Sequence, residues 1–108
     1  MKEPTLKTTT HNINNQRLFK EIDDFMIEVF TTIGIMWSNK GHRTEFVEMI
    51  DMWMEQYAYD SQKIIQWDII CDSRNNTAED FASGSVHFTL RYRQKNCFNT
   101  TEIEYIFI

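Results

Sequence analysis

The sequence predicts an α+β fold, in which two amphipathic helices pack on a small, mainly antiparallel sheet of about three strands. Apolar residues recur at helical spacing in the first half of the chain and alternate with polar residues in the second half. A chain of 108 residues is one folding unit by length. We therefore expect an extended N-terminal arm over residues 1–14, followed by a single domain over residues 15–108.

Residues 1–14 are interpreted as an arm because they show no helical spacing. They contain Pro4, a run of three threonines at Thr8, Thr9 and Thr10, and the apolar anchors Leu6 and Ile13. β-Branched Thr favours extended backbone. The arm can therefore lie along a sheet edge as an added strand, or it can be a frayed terminus.

The first helix is predicted to begin near Asn15 and to end near Thr32. Apolar residues recur there at steps of three and four residues with charged residues between them, which is typical of an amphipathic helix. Asn14 or Asn15 can cap its first turn, because an Asn side chain accepts hydrogen bonds from the free amides of a helix start. The apolar positions are Leu18, Ile22, Phe25, Val29 and Ile33.

The second helix is predicted to be long, with Thr44 as its cap and one face on the core. Three methionines, Met49, Met52 and Met54, are interpreted as core filler rather than as an adaptable binding groove, although Met serves both purposes. The apolar stripe consists of Phe46, Ile50, Trp53 and Tyr57, and the residues expected to face outward are Glu45, Glu48, Asp51 and Glu55.

Three strands are predicted after the helices: Ile64–Cys71, Val86–Tyr92 and Thr101–Ile108. In the first, alternation places Ile65, Trp67 and Ile69 on one face. In the others, one buried and one wet face are expected. The buried positions are Val86, Phe88, Leu90, Tyr92, Ile103, Tyr105 and Phe107. If the last two strands are antiparallel neighbours, Glu102 and Glu104 can lie across from Arg91 and Arg93.

A polar loop joins the first two of these strands, between Cys71 and Asp80. Asp72 and the pair Asn75 and Asn76 are predicted to bond to nearby backbone groups and to hold a long irregular turn. The loop lacks the alternating acids, central Gly and terminal Glu of a calcium loop, so a metal site is not expected.

Composition argues against several classes of function. The formal charge of −5 is spread along the chain without a long run of one sign, which disfavours duplex nucleic acid as a partner. Arg91 and Arg93 form a basic strand face, but alternation places Tyr92 on the opposite face, so binding of a single strand is not expected. No run approaches the roughly 20 apolar residues that cross a bilayer, and no secretion signal is visible, so no membrane partner is expected. We expect a protein that stays in the cytoplasm where it is made.

No catalytic constellation is visible, and an enzyme is not expected. The three histidines lie apart, no nucleophile motif accompanies them, and the three glycines are isolated, so no cofactor-binding loop is predicted. Cys71 and Cys97 lack zinc-site spacing and are interpreted as two reduced thiols.

The loop carries a family resemblance. Cys71, Asp72, Asn75, Asn76, Thr77, Glu79 and Asp80 match a Cys-Asp-Glu-Thr-Asn-Asn-Thr-Pro-Glu-like signature. It resembles the C-terminal domain of the tail sheath proteins of contractile phages, and the predicted order of elements extends the resemblance from about Asn15 to Ile108. Ser73, Arg74 and Ala78 depart from the signature, and Ala78 removes the stiffening Pro.

The resemblance implies a tube-facing domain whose arms add strands to the sheets of neighbouring subunits. The residues that it assigns to intersubunit strand addition are Thr8, Thr9, Thr10, Val86, Phe88, Leu90, Ile103, Tyr105 and Phe107. The chain lacks the large upstream domains of a sheath subunit. An accessory ring at the baseplate, as a sheath initiator, or at the neck is therefore expected, with copies of itself and the sheath and tube proteins as partners in the virion.

A different class of function stays open, namely a small phage-encoded binding module that inhibits or redirects a host protein. Such a module would use its acidic helix faces or exposed aromatic residues. It would be a compact monomer or dimer that tolerates loss of its arms.

Overall fold

The computed structural model describes residues 6–32 and 39–107. The predicted apolar positions Ile33 and Ile108 lie outside the described residues. In chain order, the elements are β1 (Leu6–His11), α1 (Gln16–Thr32), α2 (Lys40–Ser61), β2 (Ile64–Ile70), α3 (Ala78–Ala82), β3 (Val86–Gln94) and β4 (Thr100–Phe107). The predicted α+β class is confirmed. The additional strand comes from the arm, and the additional short helix lies in the loop between β2 and β3.

The described strands form one antiparallel sheet in the order β1-β4-β3-β2. The apolar residues of β3 and β4 that alternate along each strand are buried, as predicted: Val86, Phe88, Leu90, Tyr92, Ile103, Tyr105 and Phe107. They join buried residues of α1 and α2 in a single hydrophobic core. One face of the sheet therefore packs on the two long helices, and the other carries the charged residues.

Phe30 of α1 lies at the meeting point of these layers. Its ring centroid is 5.1 Å from that of Phe46 on α2, 5.8 Å from that of Phe88 on β3 and 4.6 Å from that of Phe107 on β4. The contacts with Phe88 and Phe107 are edge-to-face and the contact with Phe46 is stacked, and both kinds add to the stabilisation that burial provides. The ring thus connects both long helices to both inner strands.

The apolar stripes of the helices are rotated slightly from the predicted ones. Met26, Phe30 and Met54 are buried, whereas Phe25, Trp53 and Tyr57 are only partly buried. Phe25 stacks on Trp53 at 3.9 Å between ring centroids, and Trp53 stacks on Tyr57 at 4.9 Å. These large rings cover the rim of the core, where the Tyr57 hydroxyl can donate a hydrogen bond to Glu21 of α1.

The cap of α1 was predicted, but that of α2 was not. Asn15 Oδ1 accepts hydrogen bonds from the amides of Arg17 and Leu18, at 3.1 Å each. Asn39 caps α2 by accepting from the His42 amide at 3.2 Å. The prediction of Thr44 as the cap is wrong. Thr44 lies inside the first turns and donates its hydroxyl to the Lys40 carbonyl.

Register explains which predicted charge pairs form. Arg91 lies opposite Glu102, as predicted, but Glu104 lies opposite Thr89 and not opposite Arg93. Arg91 instead forms its ion pair with Asp68 of β2, at 2.8 Å. Alternation along β2 also fails at one point, because a bulge between Ile64 and Gln66 leaves Ile65 51% exposed.

The Tyr105 side chain is buried in the core, and its hydroxyl reaches α1. Its ring is fully buried, and its hydroxyl donates to Asp23 Oδ1 of α1 at 2.7 Å. Burial, and then the hydrogen bond to Asp23, raise the pKa of the Tyr105 phenol well above its ordinary value. The pKa of Tyr92 is raised to about 12, chiefly by burial. Both phenols therefore favour the protonated form in the folded protein.

We predict that Tyr105→Phe lowers the free energy of unfolding at pH 7 by roughly 1.5–3 kcal/mol, because a hydrogen bond to a charged group is lost. A raised pKa means that the native state keeps protons that the unfolded state releases. The stability that each such phenol contributes is fully present below a pH of about 10. Above it, the free energy of unfolding falls by roughly 1.4 kcal/mol per pH unit for each such group. Urea unfolding at several pH values measures both effects.

Above a pH of about 10, the free energy of unfolding should fall less steeply with rising pH in Tyr105→Phe than in the original chain. Tyr59→Phe is the matched control. The Tyr59 side chain is 74% exposed, so loss of its hydroxyl should change the free energy of unfolding little. Equal losses from the two variants would contradict the role given to the buried hydroxyl.

Candidate assembly interface

The N-terminal arm is a strand of the protein's own sheet. β1 pairs antiparallel with β4 over six residues, from Leu6 opposite Phe107 to His11 opposite Glu102. Of the threonines, Thr8 and Thr9 are exposed and Thr10 is half-buried. The expectation of an added strand is confirmed for residues 6–11, and the alternative of a frayed terminus is wrong there. The partner in this structure is the same chain.

A short polar connection joins β1 to α1. Asn12 adopts a left-handed backbone conformation, with φ of 58°, which Asn tolerates better than most residues. The Asn12 carbonyl accepts a hydrogen bond from the Thr101 hydroxyl at 2.7 Å, and the Asn14 side chain donates to the Asn99 carbonyl at 3.3 Å. These contacts fix the point at which the arm leaves the domain.

The strands predicted to receive or donate at an edge lie inside the sheet. β3 is paired with β2 and β4, and β4 is paired with β1 and β3. Val86–Tyr92 as an open receiving edge is therefore wrong for this fold. β4 can accept a strand from another subunit only in place of β1. The six assigned side chains on these strands fill the core: Val86, Phe88, Leu90, Ile103, Tyr105 and Phe107.

The loop between β2 and β3, which we call the asparagine loop after Asn75 and Asn76, closes the edge of β3 where β2 ends. Asn76 is only 5% exposed. Its Oδ1 accepts from the His87 amide at 2.6 Å, and its Nδ2 donates to the His87 carbonyl at 2.8 Å. Asn75 Nδ2 donates to the Ile70 carbonyl at 2.8 Å. The side chains thus replace the backbone partners that a longer β2 would have supplied.

The rest of the signature holds the turn and starts α3. The Asp72 carbonyl accepts from the Asn75 and Asn76 amides, and its carboxylate accepts from the Arg74 amide at 2.9 Å. Thr77 and Asp80 form a capping box at the start of α3. The prediction that Asp72 and the asparagine pair bond to nearby backbone groups is confirmed by these contacts. Glu79 is exposed in the first turn of α3.

The carboxylates of Asp72 and Asp80 are already engaged by protein groups. Hydrogen bonds from Arg74 lower the pKa of Asp72, and bonds from the Thr77 amide and hydroxyl lower that of Asp80. Burial raises the pKa of the half-buried Cys71 thiol to about 11. Across residues 6–32 and 39–107, no group of three or more His, Cys, Asp or Glu side chains is placed to hold a metal ion.

The outer face of the sheet carries a row of polar and charged side chains that the sequence did not predict as a unit. Asp68, Arg91, Glu102 and His11 lie side by side on β2, β3, β4 and β1. They line an open depression of about 700 Å³. Opposite charges across neighbouring strands favour this register. Only the position of β1 in the sheet, which requires the tertiary structure, brings His11 into the row.

None of the described helices is both long and apolar enough to cross a membrane.

We predict that Asn76→Ala lowers the free energy of unfolding by about 2–4 kcal/mol, because the buried amide and carbonyl of His87 lose their partners. Asn76→Asp should cost at least as much, since a carboxylate cannot donate to the His87 carbonyl. Chemical unfolding measures both. Asn99→Ala, at an exposed position, is the control. A cost for Asn76→Ala no larger than that for Asn99→Ala would contradict the edge-closing role.

Compared with protein-family models, with curated proteins and with solved structures, the chain gives no significant match.

Proposed function

We propose that the protein is a structural component of a contractile phage tail that joins neighbouring subunits by exchange of its N-terminal strand. The observation that carries this proposal is the pairing of β1 with β4 across six residues at the edge of the sheet. The same backbone hydrogen bonds form whether β1 comes from the same chain or from the next one. Strand exchange then links subunits without requiring a new type of contact.

The physical character of β1 suits exchange. Thr8 and Thr9 are exposed, so release of these side chains uncovers little apolar surface. On the core side of β4, Tyr105 contacts Phe30 and Asp23 of α1, and these contacts do not involve β1. The hydrogen bonds lost on release are regained on the neighbouring subunit. Subunit concentration in a growing ring then decides between the two arrangements.

The tail context of the proposal rests on the loop signature and on the order of elements. Asp72, Asn75, Asn76 and Thr77 combine that signature with a physical role at the sheet edge. The place proposed for it is an accessory ring, either an initiator at the baseplate or a ring at the neck. Its partners would be further copies of itself and the sheath and tube proteins. We propose no catalytic role.

We predict that arms exchange between chains during assembly. His11 and Glu102 lie opposite each other on β1 and β4, so a cysteine at each position can form a disulfide across the pair. One chain would carry His11→Cys and another Glu102→Cys, both with Cys71→Ala and Cys97→Ser. Exchange gives a covalent dimer of the two chains when they are mixed under assembly conditions and oxidised.

A chain that carries both substitutions is the control for geometry, because it should close a disulfide within itself when monomeric. If this control closes but mixed chains never crosslink in the assembled state, the exchange mechanism is wrong. Deleting residues 1–12 is the complementary variant and should abolish the oligomer. Deleting residues 102–108 is uninformative, since it removes most of an inner strand.

The location in the virion has a separate test. Gold-labelled antibody against the protein, imaged by electron microscopy on purified extended tails, should bind at one end only. That end would identify a baseplate or a neck role. Label along the whole tail would make the protein part of the sheath layer. Absence of label would contradict the tail assignment and favour the host-directed binding module.

A further inference from the structure

The outer face of α2 carries a stripe of exposed residues that alternates between acidic and large side chains. Glu48, Met52, Glu55 and Tyr59 follow one another at steps of four, three and four residues, so they lie on one side of the helix. All four are exposed, Met52 at 70% and Tyr59 at 74%. We refer to these four residues as the α2 stripe.

The exposed apolar side chains of the α2 stripe are not misplaced core residues. The opposite side of α2 already fills the core with Phe46, Ile50 and Met54. Met52 was predicted to pack in the core, and that prediction is wrong for it, because it lies between the two buried positions and points to the other side. Single exposed apolar residues are common. Two large ones, two turns apart on one stripe and lining a shared depression with Glu55 and Gln56, are less so.

Charge selects the kind of partner that this surface fits. From Glu45 to Ser61, α2 contains five acidic residues and no Lys or Arg. Among the described residues, neither Glu48 nor Glu55 takes part in an ion pair. Glu48 shares a depression with Lys40 and Arg43, whereas among the described residues no Lys or Arg lines the depression at Glu55. Both carboxylates are exposed and can meet cations from outside. A second copy placed symmetrically on this face would bring glutamates against glutamates, which disfavours self-association here.

We propose that the α2 stripe docks a basic amphipathic helix of another protein. Lys or Arg side chains of that helix pair with Glu48 and Glu55, and its apolar side chains pack on Met52 and Tyr59. Met adapts its shape to an incoming side chain, and the Tyr ring accepts a cation on its face. Helix-on-helix docking of this kind reads apolar anchors at spacings of three, four and seven residues.

This surface is independent of the strand exchange. The α2 stripe lies on the helix layer, whereas β1 lies at the edge of the sheet, so one can be occupied without disturbing the other. The protein can then join copies of itself through the arm and hold a different protein through α2. The docking proposal also stands if the protein is not a tail component.

The test uses the full chain and a synthetic helical peptide of about 18 residues with leucines on one stripe and lysines on both flanks. Amide chemical shifts of the protein should change around Met52, Glu55 and Tyr59 on titration. Glu48→Gln with Glu55→Gln should raise the dissociation constant of the peptide complex about tenfold, because two charge pairs at the rim are lost. Met52→Ser with Tyr59→Ser should raise this dissociation constant at least as much.

Asp24→Asn with Glu79→Gln is the matched control, because both residues are exposed and the two changes remove the same charge at other surfaces. A peptide with Glu in place of each Lys is the control for the ligand and should not bind. The proposal is supported if only the α2 variants weaken binding. It is overturned if the control variant weakens binding equally, if serine at positions 52 and 59 has no effect, or if the shifts map to another surface.

Discussion

The structure depends on β4 being an inner strand. Its alternating side chains Ile103, Tyr105 and Phe107 lie in the core, and its two edges are occupied by β1 and β3. Because a strand has a side-chain period of two, a slip of one residue would bring Glu102 and Glu104 into the core and expose these three apolar residues. The Tyr105 hydroxyl fixes the same register from the helix side, through Asp23. Helix layer, inner strands and arm thus share one alignment.

The asparagine loop pairs with a part of β3 that β2 does not reach. β3 is nine residues long and β2 is seven, so the first part of β3 extends beyond its neighbour. An open backbone edge there would be a site for unwanted pairing. Asn76 occupies it with one side-chain amide that both donates and accepts, and Asn75 ties the turn to the end of β2. This closure leaves no unpaired backbone at His87, at the start of β3.

Two surfaces of different chemistry follow from the fold. The β1–β4 seam is bound together by backbone hydrogen bonds, which any extended segment can form, so its selectivity must come from register and from local concentration. The α2 stripe offers carboxylates and two adaptable apolar side chains, so it selects a partner by charge and by helical spacing. In the assembly proposed above, this separation would keep contacts among copies from competing with contacts to other components.

The sequence by itself determined the class of the fold, the two long helices, the buried positions of β3 and β4 and the backbone-binding role of Asp72, Asn75 and Asn76. These features follow from local periodicity and from short-range hydrogen bonding. It did not determine that Asn39 caps α2, since two good capping residues compete within five positions, nor which methionines are buried. The tertiary structure alone decided that the arm is a strand on β4, that β3 and β4 are inner strands, and that Met52 faces outward. Each of these depends on which edges and faces are already covered by distant parts of the chain, and no local pattern records that.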